Sequence, residues 1–141
     1  LTSSASRPRS DDHRMTLKRI ACVEDDPDIR MILNMSLSEI GGFSVQLYED
    51  GPTALARLGQ DEPQLIMLDM MMPGMNGLEV LAALRQKPEF MNTPVIFMTA
   101  KAQSHELDAY ISAGAQSVIV KPFDPMTLPE SLLKIWEDLD G

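Results

Sequence analysis

Three carboxylates, one hydroxyl and one ammonium stand at the ends of apolar runs in this chain. Glu24 and Asp25, with Asp26 behind them, follow RIACV. Asp69 follows LIML, Thr99 follows VIFM, and Lys121 follows VIV and precedes Pro122. Each run reads as a strand. In an open parallel sheet the carboxyl ends of the strands share one edge, and ligands bind there. Residues far apart in sequence therefore converge on one place. Two unit charges about 5 Å apart repel by roughly 3 kcal/mol at an effective dielectric of about 20. Three gathered carboxylates call for a cation, either a bound ion or the Lys121 ammonium. Oxygen ligands suit a hard ion such as Mg²⁺, which one or two carboxylates commonly hold together with water and phosphate. The set suits a divalent cation beside a carboxylate that accepts a phosphoryl group.

Each residue also has a plainer reading. An acidic triplet taken alone is a helix cap with solvated charge, and Asp26 fits that part. Asp69 could be a solvated residue opening a loop, Lys121 a surface lysine, and Thr99 an ordinary strand-end threonine. The wholly apolar strand before Asp69 weighs against the plain reading there, because a carboxylate in that place is costly without a partner.

The elements that must position these groups alternate along the chain. A strand over Lys18–Glu24 leads into Asp26-Pro27-Asp28, a helix start with a cap, Pro at the first turn and an acidic residue suiting the dipole. Ile29, Ile32, Leu33, Leu37 and Ile40 follow at helical spacing, and Gly41-Gly42 ends the helix. Phe43–Leu47 reads as a second strand. Gly51–Leu58 reads as a short helix with Ala54, Leu55 and Leu58 inward. Leu65–Asp69 has no polar residue before its last position, as in a central parallel strand covered on both faces. Met72–Gly77 is a loop, and Leu78–Arg85 a helix with Leu78, Leu81 and Leu84 apolar. Pro94 opens the fourth strand. Ser104–Ala113 is a helix carrying Leu107, Tyr110 and Ile111, closed by Gly114. Ser117–Val120 is the fifth strand. A last helix starts near Thr127, since Pro129 is tolerated only near a helix start, and runs to about Asp138. Five strands alternating with five helices predict an α/β fold: a doubly wound, flavodoxin-like parallel sheet in a three-layer αβα sandwich with right-handed crossovers.

The chain of 141 residues fits one domain, expected over residues 17–139. Residues 1–16 read as a disordered tail or the remnant of added sequence, because LTSSASRPRSDDHR is polar and has no apolar signal-peptide core. Met15 is an alternative start, and any output domain is expected to lie outside this sequence. The lone Cys22 excludes an internal disulfide, fits a reducing, cytoplasmic setting and reads as core filler. Twelve basic against 21 acidic residues give a net charge of −9, which argues against direct nucleic-acid binding. No apolar stretch approaches the roughly 20 residues that span a bilayer.

Four blocks in order, VEDDPDIR, LIMLDMMMPGMNGLEVL, PVIFMTAK and GAQSVIVKPF, resemble the receiver domain of two-component response regulators. The resemblance covers about residues 17–139. It implies Asp69 as phosphoacceptor, and Glu24 and Asp25 as the Mg²⁺ pair, with Asp25 direct and Glu24 acting through water. It implies the Met71 backbone carbonyl as a further metal ligand, Thr99 and Lys121 as partners of the phosphoryl oxygens, and a cis Lys121–Pro122 bond. It implies a sensor histidine kinase or histidine phosphotransfer protein as donor and an effector protein downstream. Two positions depart from the pattern. Val118 stands where receivers commonly carry a switching aromatic, and Tyr110 is the nearby candidate substitute, with core packing its plainer role. Met71 and Lys101, two residues beyond Asp69 and Thr99, stand where side chains gate water, and an apolar Met71 predicts slow hydrolysis.

Three rivals share parts of this reading. A HAD-type phosphatase needs an acid two residues after its nucleophile, where Met71 stands. A flavodoxin-like FMN binder needs a phosphate-cradling loop after the first strand, where Glu24-Asp25-Asp26 would repel phosphate. A degenerate receiver serving only as a protein-interaction module keeps the fold without the chemistry; the presence of all five site residues counts against it, and Val118 keeps it open.

Overall fold

Parallel strands pair best when both faces are covered, and the third apolar run meets that condition in full. The computed structural model describes residues 16–139, and the predicted tail lies largely outside the described residues. Strand β3 (Leu65–Asp69) is buried at every position. Around it stand β1 (Arg19–Val23), β2 (Ser44–Tyr48), β4 (Val95–Thr99) and β5 (Ser117–Val120). They form one parallel sheet in the order β2-β1-β3-β4-β5. Among the described residues five helices alternate with them. They are α1 (Pro27–Leu33, wound onward as a π-helix over Asn34–Ile40), α2 (Gly51–Asp61), α3 (Gly77–Arg85), α4 (Ser104–Ser112) and α5 (Leu128–Asp138). None is long and apolar enough to cross a membrane.

The two-residue period of the strands sorts the core into two layers. Ala21, Val23, Ile66, Leu68, Val95 and Phe97 pack with Ala54 and Leu58 of α2, Val80, Leu81 and Leu84 of α3, and Tyr110 of α4. Ile20, Cys22, Leu65, Met67, Ile96 and Met98 pack with Leu33 and Leu37 of α1 and Leu128 and Leu132 of α5. Cys22 is fully buried, and burial, with the Glu24 charge, pushes its thiol far up, so it stays an inert filler.

The strand assignments hold to within a residue or two, while three helix faces differ from the simple periodic expectation. In α3 the inward set is Val80, Leu81 and Leu84, and Leu78 is partly exposed. Ile111 of α4 and Ile32 and Ile40 of the first helix also face outward. The first helix has a physical cause. Gly41 N–H bonds the carbonyl five residues back, on Ser36, so the turn widens and Ile40 is carried outward, while Leu33, Ser36 and Leu37 keep the inward face. Helix α2 extends three residues beyond the expected Leu58, ending where Glu62 adopts a left-handed conformation.

Candidate functional site

Strand order sets the place of the site. After β1 the chain crosses to β2 on one side, then returns to lay β3 on the other side of β1. The carboxyl ends of β1 and β3 therefore flank the crevice where an open α/β sheet binds ligands. Val23 pairs with Leu68, so Glu24 and Asp69 leave the sheet side by side. Asp69 pairs with Met98, which puts Thr99 one residue farther along the neighbouring strand, and Thr99 pairs with Val120, the residue before Lys121. The Lys121–Pro122 bond is cis, as the resemblance implied.

Short-range structure holds each end in place. Asp26 caps α1, its Oδ1 accepting the Asp28 N–H at 2.8 Å. After β3 the chain turns back through Gly74 (φ 79°), a left-handed conformation that glycine adopts without strain. The first residue of α3, Gly77, then rests on the strand end: a Cβ there would meet the Asp69 carbonyl oxygen at 2.7 Å. Asn76 and Glu79 cap α3 reciprocally.

The acidic groups meet as the spacing predicted. Carboxylate oxygens of Glu24, Asp25 and Asp69 lie within 4.8 Å of one another. Glu24 and Asp69 are buried, at 1% and 3% exposure, and Asp25 is half-buried. Lys121 Nζ donates to Glu24 Oε1 at 2.7 Å and to Asp69 Oδ1 at 3.1 Å, bridging groups 97 and 52 residues away. Asp69 Oδ1 also accepts the Met71 N–H at 3.3 Å, and Glu24 Oε2 the Asp26 N–H at 3.2 Å. Burial raises the Asp69 pKa, a hydrogen bond with Glu24 and the Glu24 charge add to this, and Lys121 opposes it. For Lys121, burial pulls the pKa down, but its bonds to Glu24 and Asp69 and their charges outweigh burial and leave it raised. Oxygens this close fit a small hard cation, since ligands on opposite sides of Mg²⁺ stand about 4 Å apart.

Thr99 is buried at the rim, and its Oγ1 accepts the Lys101 N–H at 3.0 Å. Its own O–H remains as a donor. Met71 points outward at 60% exposure, so no carboxylic acid occupies the position a HAD-type phosphatase requires. Val118 is half-buried against the layer that holds Phe97 and Tyr110. Tyr110 packs edge-on to Phe97 with ring centres 5.5 Å apart, and its hydroxyl lies 3.5 Å from the Lys101 carbonyl.

Sequence reasoning missed Arg30. Its Nη1 donates to the carbonyls of Glu24 at 2.8 Å and Asp25 at 3.0 Å. An arginine one turn into the helix after an acidic strand end was the available signal.

Comparison with known proteins agrees with this geometry. Residues 20–133 match the family described as response regulator receiver domain. The chain is 36% identical over 119 residues to the phosphate regulon transcriptional regulatory protein PhoB of Rhizobium meliloti, covering 84% of this chain and 51% of that protein. It thus spans about half the length of that relative. It is also 36% identical over 121 residues to the chemotaxis protein CheY-3 of Vibrio cholerae, covering 86% of this chain and 93% of that protein. The structure of the Vibrio cholerae chemotaxis protein CheY4 superposes with a TM-score of 0.79 at 28% identity, covering 85% of this chain and 99% of that one. With the sheet order, the crevice and the four sequence blocks all accounted for, the chain belongs to the response regulator receiver domain family.

Proposed function

We propose that this receiver takes one phosphoryl group onto Asp69 from a phosphohistidine, borne by a sensor histidine kinase or a histidine phosphotransfer protein. An Asp69 carboxylate oxygen attacks phosphorus in line, the N–P bond to the donor imidazole breaks, and an aspartyl phosphate forms. Lys121, already on Asp69, neutralises the oxygen charge that builds up, and Thr99 turns its O–H toward a phosphoryl oxygen. Glu24 (through water), Asp25, Asp69 and the Met71 backbone carbonyl would hold Mg²⁺, which would add to the neutralisation of the transferring group. The protein's part is positioning and electrostatics. Water then slowly hydrolyses the anhydride, with the apolar Met71 side chain offering that water no hydrogen bond. The added charge draws Thr99 and the loop before Ser104 toward the site. That movement biases the face of α4, β5 and α5 toward an effector protein. The encounter is cytoplasmic, and this domain binds neither nucleic acid nor membrane directly.

The observation that carries this reading is Lys121 Nζ shared between Glu24 Oε1 and Asp69 Oδ1, an ammonium fixed on the residue that would be charged by the reaction. Intact mass after incubation with acetyl phosphate and Mg²⁺ tests it. One phosphoryl group is expected on the wild type and none on Asp69→Asn. Equal labelling of that variant would refute the assignment. A wild type that never labels supports the alternative that Val118 keeps open, a degenerate receiver acting by protein contact alone.

A further inference from the structure

The two acidic residues that follow β1 need a fixed backbone, because the strand ladder ends with Glu24. Its N–H still bonds the Tyr48 carbonyl of β2 at 3.0 Å. Beyond that point the chain turns into α1, and Arg30 spans the turn alongside the Glu24 and Asp26 side-chain bonds. Arg30 N–H bonds the Asp26 carbonyl at 3.0 Å as the first helical bond. Its side-chain Nη1 takes the Glu24 and Asp25 carbonyls at 2.8 and 3.0 Å. Three consecutive carbonyls of the acidic turn are thus gathered by a single arginine.

The charges make the choice of atoms informative. Lys121 meets the carboxylates directly and occupies an oxygen of Glu24 and an oxygen of Asp69. Arg30 instead meets backbone oxygens. It places a positive charge beside the acidic group while leaving the carboxylate oxygens to a metal ion. A partner that orients ligands from behind characteristically contributes about 10–100-fold to metal affinity.

Building on the metal reading above, we infer that Arg30 is a positioning residue for Mg²⁺, holding the Glu24-Asp25 backbone so that both carboxylates face Asp69. Two effects of removing it have opposite sign. Loss of positive charge beside a cation site tightens cation binding by Coulomb attraction alone. Loss of the carbonyl clamp frees the turn and weakens binding. Positioning is therefore separable from charge by the direction of the change.

The test is calorimetric titration of the full chain with Mg²⁺, well below the melting temperature, for wild type, Arg30→Met and Arg30→Lys. Arg30→Met should bind about 10-fold more weakly or worse, despite the charge it has lost. Arg30→Lys keeps the charge and can reach a carbonyl, so it should fall between the two. Labelling of Arg30→Met by acetyl phosphate should be slow at limiting Mg²⁺ and recover as Mg²⁺ saturates, an affinity defect with the chemistry intact. Unchanged or tighter Mg²⁺ binding by Arg30→Met, with or without a lower melting temperature, overturns the positioning role while leaving the metal site standing. A wild type that binds no Mg²⁺, or binds it equally well as Asp25→Ala, overturns the metal reading itself and the role of Arg30 with it.

Discussion

Asp69 is an ionisable group set where ionisation is costly. Burial comes first, and the hydrogen bond and charge of Glu24 come next, all raising its pKa. The bond to Lys121 offsets only part. The sign of the consequence is fixed by linkage. A carboxyl whose folded-state pKa is raised binds its proton more tightly in the native state. Its ionisation therefore removes stability as pH rises from the ordinary carboxylate range through the raised pKa. Lys121 has the opposite sign. Its pKa is raised, so the stability it contributes is present at neutral pH and is lost only on passing its alkaline folded-state value. In metal-free buffer Asp69→Asn should therefore melt above the wild type at pH 7, by on the order of 3 °C for about 1 kcal/mol. The gap should close as pH falls and the wild-type carboxyl becomes protonated. Thermal melts at several pH values check this, and a variant that melts lower at pH 7 would show that the Lys121 pair outweighs burial.

At the scale of elements, helix starts and strand cores were readable and helix faces less so. Asp26-Pro27 was read as a capped start and the cap is present; Asp50 and the Asn76–Glu79 pair cap α2 and α3 in the same way, although the sequence reading marked neither. The first helix reaches Gly41 with Leu37 inward as expected, but Ile40 was misplaced because a π-turn obeys no 3.6-residue period and nothing local announces it. A contact 89 residues away accompanies it. Ser36, fully buried, donates from Oγ to the Pro125 carbonyl at 2.6 Å in the loop between β5 and α5. Gly41 then brings the helix end close to α5, where a Cβ would meet Pro129 Cβ at 3.0 Å. Ser36→Ala leaves the half-buried Pro125 carbonyl without this donor. It should cost about 1 kcal/mol, the net contribution of a typical hydrogen bond. Urea denaturation should show that loss, with labelling at Asp69 retained. A change below a few tenths of a kcal/mol would mean that the π-turn is held by packing alone.

For the whole molecule, the edge that gathers the acidic residues was legible because four of the five strands, all but β2, end their apolar runs at the residue concerned. The pairing inside that edge was not. Composition cannot say that Lys121 lies closer to Glu24 than to Asp69, or that Arg30 takes carbonyls rather than carboxylates, since both depend on register and turn geometry. The same limit applies to signalling from this edge. Val118 and Ile119 of β5 face opposite layers, Val118 toward Phe97 and Tyr110 and Ile119 toward the layer of α1 and α5. Val118 is small and stiff at χ1, and it offers neither the reach nor the alternative positions of an aromatic ring. The connected path runs instead from Thr99 Oγ1 to the Lys101 N–H, and from the Lys101 carbonyl to the Tyr110 hydroxyl on α4. A beryllofluoride adduct of Asp69, standing in for the aspartyl phosphate, should therefore shift backbone NMR signals chiefly over Thr99–Glu106 and fade beyond Val118. Thr99→Ala should still accept phosphate yet flatten those shifts, because the hydroxyl that couples the adduct to Lys101 is gone. Largest shifts on Val118–Val120 and α5 that survive Thr99→Ala would place the switch on β5 and rule this path out.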